Sequence, residues 1–151
     1  MAEDNPNLTC VASWIERTAP GLSGEEQIQL FEMALAAMWR RSQRPLGDVT
    51  IAAIMDRVVY TGVESFPVLA GLRVEASGVS CLELRERAAG ADDAQLLEAI
   101  RFVLVEYLTV LGNLTADIFT SALRTELSAV AIGTARAANA VGERKPWKRK
   151  R

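Results

Sequence analysis

Histidine is absent from the chain, and the three lysines, Lys145, Lys148 and Lys150, all fall within the last seven residues. Together these facts remove most familiar catalytic chemistry. Without histidine there is no Ser-His-Asp triad, no carboxylate-histidine di-iron site, no histidine-ligated haem and no phospho-histidine relay. A Schiff-base lysine inside the fold is excluded as well. Asp, Glu, Tyr, Cys and Ser/Thr remain, with arginine the only cation of the globular part, a poor kit for an enzyme. The two cysteines, Cys10 and Cys81, are far apart and form no paired motif, so they are expected to be free thiols in a reducing compartment. No metal-ligand spacing and no phosphate loop is present. The expectation is therefore a non-enzymatic protein with neither cofactor nor metal.

Two sets of residues are candidates for binding. The first is Arg101, Glu106 and Tyr107, the polar groups inside the most apolar stretch of the sequence, Ala94 to Ile132. Each must pair, reach the surface or line a cavity, because an unpaired buried charge is expensive. They either orient a small ligand in a bundle cavity or mark the exposed edge of a helix or a subunit contact. The second reading is the simpler one. The other set is the C-terminal run, where Arg144, Lys145, Lys148, Arg149, Lys150 and Arg151 stand against Glu143 around Trp147. That is +5 over nine residues, so the other 142 carry −7 of the chain's net −2. A basic tail with an aromatic suits nucleic acid or an anionic membrane surface; a solvated tail is the plainer expectation.

The elements that must position these groups are helical. Half of the residues are hydrophobic but only 6% aromatic, a mixture rich in Ala and Leu that suits helix packing. The spacing predicts an all-α fold, a bundle of five to six helices, in a single domain over residues 1–142 followed by the tail at 143–151. Ser23-Gly24-Glu25-Glu26 is a capping box opening a helix to about Ser42, stopped by Pro45. Asp48 is expected to cap the next helix, and Asp92 or Asp93 the one that follows Gly90. Met33, Met38 and Met55 read as core fillers. The segment Phe66 to Val79 fits either a short helix followed by a turn or an extended Leu72-Arg73-Val74-Glu75 piece, near residues 72–76. In the apolar stretch, Leu96 to Leu111 is hydrophobic nearly all round, and Gly112-Asn113 is expected to break it into a helical hairpin or a sharp kink. A helix apolar on every side in so short a chain predicts a homodimer, with the second copy covering the hairpin.

Ala76-Ser77-Gly78-Val79-Ser80, followed by Leu82, Leu84, Arg85 and Arg87, is similar to the turn and recognition helix of bacterial helix-turn-helix regulators. It departs from them at Val74, where a small residue is preferred, and at Pro67 and Gly71, which suit a scaffold helix badly. Glu83 and Glu86 also cancel the charge of Arg85 and Arg87. Ser80-Cys81-Leu82-Glu83 reads equally as a second capping box. The start MAEDNPN lacks the basic and apolar character of a secretory signal, so a cytoplasmic location is expected. The function expected is that of a bacterial regulatory or protein-interaction module acting through a homodimer. The alternatives are a small-ligand sensor with its cavity near Arg101 to Tyr107, and a nucleic-acid-associated protein using the tail.

Overall fold

The computed structural model describes residues 5–90, 92–115, 118 and 120–131. Over these the chain forms six α-helices and one two-stranded hairpin: α1 Pro6–Thr18, α2 Gly24–Leu46, α3 Asp48–Val63, a 3-10 helix Pro67–Gly71, β1 Arg73–Glu75, β2 Gly78–Ser80, α4 Leu82–Ala88, α5 Asp93–Thr115 and α6 Thr120–Ser128. The fold is an all-α bundle with a small extended insert. No described helix is long and apolar enough to cross a membrane.

α5 is the axis of the bundle. Leu96, Ala99, Ile100, Val103, Leu104, Tyr107, Leu108 and Leu111 are buried along it, and from Leu96 to Gly112 only Glu98 is exposed. Its neighbours are α1, α2, α3, α6 and the 3-10 helix. The chain therefore covers its own apolar helix, which removes the reason for expecting a second copy there. Gly112 does not break the helix either. It is buried, and the helix continues to Thr115, whose hydroxyl donates to the Leu111 carbonyl at 2.9 Å. Two half-helices in a hairpin are thus replaced by one long α5 and a short α6. Asp92 caps α5 as expected, its Oδ1 accepting from the Ala94 amide at 3.4 Å.

Local chemistry explains most of the other helix ends. Asn5 accepts from the amides of Asn7 and Leu8 at 2.9 and 3.4 Å, so α1 starts with Pro6 in its first turn, where the missing N–H costs nothing. At α2 both halves of the Ser23–Glu26 box are made, at 3.2 and 3.0 Å. α2 outlasts the expected stop, because Pro45 sits in its final turn and Gly47 ends it at φ 84°, a left-handed value natural to glycine. Gly47 then takes the N-cap position of α3 that Asp48 was expected to fill. Asp48 Oδ1 instead accepts from Trp39 Nε1 at 2.8 Å and Gln43 Nε2 at 3.1 Å, pinning the α2–α3 corner.

Between α3 and α4 the segment Phe66 to Val79 holds both of the expected alternatives. The 3-10 helix comes first, and β1 and β2 then pair antiparallel with Arg73 opposite Ser80, Val74 opposite Val79 and Glu75 opposite Gly78. Ala76-Ser77 is the hairpin loop. A scaffold helix before the turn is thus absent, so the helix-turn-helix resemblance does not survive as structure. The second capping box is not formed: Cys81 holds the N-cap position without a side-chain bond, and Glu83 turns to Arg73 and Arg87 at 3.1 and 3.0 Å. Met38 and Met55 are core residues as expected, whereas Met33 is 39% exposed on the outer face of α2. The basic tail at 143–151 lies outside the described residues.

Candidate functional site

The structure divides the trio Arg101, Glu106 and Tyr107. Consecutive residues on a helix point about 100° apart, and α5 is packed on several sides, so Glu106 and Tyr107 face different neighbours. Tyr107 is completely buried, its hydroxyl 2.9 Å from Ser42 Oγ on α2. Ser42 Oγ donates its one proton to the Met38 carbonyl at 2.8 Å, which leaves the tyrosine as donor to the serine. Burial pushes the phenol above its ordinary value of 10.0, and the Ser42 contact offsets part of that. This pair is a satisfied polar link inside the core.

Arg101 and Glu106 remain together on the other side of α5, at a surface groove of about 300 Å³. Glu98, Arg101, Phe102, Val105 and Glu106 supply the α5 wall, with Arg101 and Glu106 about 140° apart around the helix at its two edges, and Leu8 of α1 and Phe66 from the α3 exit close it. Phe66 and Phe102 pack with ring centroids 5.9 Å apart and planes tilted by 46°. Gly62 makes room for this: a Cβ there would meet the Phe102 ring and Leu69 at 2.8 Å. Arg101 is held by Glu98 at 2.6 Å. Glu106 has no ion-pair or hydrogen-bond partner among the described residues. An apolar floor with one paired and one unpaired charge at its rim can bind and orient, but it offers no nucleophile paired with a base.

A second polar constellation was not legible in the sequence. Arg85 of α4 reaches α2, giving Nε to Glu25 at 2.7 Å and Nη2 to Glu32 at 2.8 Å. Both hydrogen bonds, Glu32's first, hold the guanidinium firmly charged. Beneath it Cys81 is fully buried, and burial above all, then the Glu32 charge, pushes its thiol up to about 12 against a smaller lowering by Arg85. Such a thiol is a packing group. Cys10 is half-buried, and both cysteines are free. The seven-residue interval between Glu25 and Glu32 puts them on one face of α2, which was the only sequence signal; the arginine that joins them comes from another element.

A groove beside α4 is lined by Arg73, Glu75, Ser80, Leu82, Glu83, Glu86 and Arg87. Its charges largely compensate: Arg87, then Arg73, hold Glu83 below the usual carboxylate range. At the other end of the bundle Arg124 of α6 donates to Asn7 Oδ1 at 2.8 Å, and Asn7 donates to Thr109 Oγ1 at 3.4 Å, tying α6, α1 and α5. Asp56 and Arg57 are exposed on α3. Among the described residues no three Cys, Asp or Glu side chains stand where they could hold a metal ion. Arg144, Lys145, Trp147, Lys148, Arg149, Lys150 and Arg151 lie outside the described residues.

No family model, curated protein or solved structure matches this chain.

Proposed function

We propose that this chain is a non-enzymatic protein-interaction module whose docking surface is the groove along α5. The observation that supports it is the groove's make-up: Leu8, Phe66, Phe102 and Val105 at the floor, with the unpaired Glu106 beside them. Its occupant is an amphipathic segment of another protein, an apolar side chain flanked by a lysine or arginine that meets Glu106. A volume of about 300 Å³ is at the bottom of the range for small-molecule sites. It suits one or two side chains better than a metabolite, and this favours a protein partner over the ligand-sensing alternative. Self-association is the second reading, favoured by Leu114 and Ile118, which stay 65% and 85% exposed at and beyond the end of α5.

A photo-crosslinking amino acid placed at Glu106, in cells that make the protein, is expected to trap a discrete protein adduct. The same group at Asp56, on the exposed face of α3, should trap little. An adduct equal to twice the 16.4 kDa chain would identify a second copy as the partner. Equal, diffuse labelling from both positions would overturn the reading.

A further inference from the structure

Of the ten described arginines five are paired: Arg73, Arg85, Arg87 and Arg101 each bind glutamate, and Arg124 binds Asn7. Arg17 and Arg57 stand singly without such a partner. Arg40, Arg41 and Arg44 are the unpaired arginines that cluster. All three are exposed on α2 within little more than one turn, and none has a hydrogen-bond or ion-pair partner among the described residues. They surround, with Gln43 and Pro45, a surface concavity of about 610 Å³ into which no carboxylate projects. Arg40 and Arg44 are an i,i+4 pair and Arg41 and Arg44 an i,i+3 pair, so like charges adjoin where the chain elsewhere sets glutamate against arginine. The helix dipole accounts for one of them, because only Arg44 lies in the last turn, where a cation is favoured. Two arginines are left that the fold does not use and whose mutual repulsion it carries.

We infer that Arg40, Arg41 and Arg44 form a docking patch for an acidic protein segment. Guanidinium forks accept carboxylate and phosphate alike, so the size of the surrounding field decides between them. The described residues hold fifteen Asp and Glu against ten Arg; without the patch the arginines fall to seven. A nucleic acid long enough to bind well carries a phosphate charge about every 1.7 Å along a duplex and extends past the patch into this negative surface. A short segment with two or three carboxylates, spaced as on one helical face, fits wholly within it. Among the described residues the rest of the surface is net acidic, so within it an acidic partner is directed to the patch. This surface is separate from the α5 groove, and its failure would leave the groove reading standing.

The test uses the isotope-labelled full chain titrated with an alanine-rich helical peptide carrying three glutamates four residues apart. Side-chain Nε–Hε signals of Arg40, Arg41 and Arg44 are expected to shift, and R40Q/R41Q/R44Q should weaken binding about tenfold or more, the order measured for close charge pairs. Glutamine keeps helix propensity, and an unchanged melting temperature verifies the fold; R41Q alone, expected to weaken binding less, serves if the triple variant melts early. Neutralising the six basic residues of the C-terminal run to glutamine should leave the three arginine shifts in place. A short duplex DNA and phosphatidylserine vesicles are run in parallel. Absence of shifts at these arginines with the peptide would overturn the inference, as would equal affinity in the triple variant. Shifts at lower concentration with the duplex would make the patch a phosphate site, and shifts with vesicles alone a membrane contact; either contradicts the proposal.

Discussion

Truncating Trp14 to alanine is expected to cost about 3–5 kcal/mol of folding free energy, the usual range for removing a buried aromatic. Trp14 is fully buried on α1 and is the largest such side chain in the bundle. Its indole Nε1–H also donates to the Val130 carbonyl at 2.8 Å, so one residue both fills the core and ties the end of the α6 segment to α1. Small domains have only about 5–15 kcal/mol in total, and the variant should unfold at a markedly lower urea concentration. Trp14→Phe separates the two contributions. It keeps most of the apolar volume and leaves the Val130 carbonyl without its donor, for a smaller loss of about 1–3 kcal/mol. A loss below about 1 kcal/mol for the alanine variant would mean that α1 is not docked as described.

The second large effect concerns two glycines that differ in what stands opposite them. A Cβ on Gly71 would lie 2.7 Å from both the Cα and the N of Leu84. These are backbone atoms of α4, held in place by the buried Leu84 side chain, and they cannot rotate aside. Gly71→Ala must therefore push the 3-10 helix away from α4, with an expected cost of about 1–3 kcal/mol or more. Gly62 looks as crowded, at 2.8 Å, but its neighbours are the Leu69 methyl and the Phe102 ring. Phe102 is only half-buried and can yield, while alanine gains up to about 1 kcal/mol over glycine in a helix. Gly62→Ala should thus change stability by no more than about 1 kcal/mol, while displacing a ring of the groove floor. Thermal melts of the two variants check this, and a larger loss for Gly62→Ala than for Gly71→Ala would contradict the packing described.

Helices were legible in the sequence because their signals are local. The Ser23–Glu26 box and the apolar period of α2 use neighbours three and four residues apart. The Ser80–Glu83 box has the same pattern and fails, because Glu83 finds two arginines, one of them on β1, that bind it better than an amide does. Asp48 fails as a cap for a similar reason, with Trp39 and Gln43 claiming its carboxylate. At Gly112 the propensity to break was real but small; burial against neighbouring helices outweighs roughly 1 kcal/mol of glycine cost.

The groove was half legible. Arg101 and Glu106 stood out as charges in an apolar helix, and they do share a surface. Tyr107 shares with them only its place as a polar group in the apolar stretch, and a one-residue step from Glu106 on α5 carries it round to Ser42. Leu8 and Phe66 had no signal at all, since an apolar residue on another element shows its role only when the elements meet. In the sequence Arg40, Arg41 and Arg44 fit helix-end electrostatics, cations set against the negative end of the dipole. What changes that reading is the contrast with every glutamate-bound arginine elsewhere, which only the coordinates display.

The most direct test of the interaction-module account is the affinity of the partner trapped at position 106 for three forms of the full chain: wild type, Leu8→Asp and Glu106→Lys. Leu8 lies in the first turn of α1, where an acidic side chain is favourable to the helix, so Leu8→Asp removes groove floor with little harm to the fold. Glu106→Lys reverses the rim charge on a helix surface. The account predicts a loss of about tenfold or more in Kd for each, with melting temperatures within a few degrees of wild type. Unchanged affinity in both variants would contradict it.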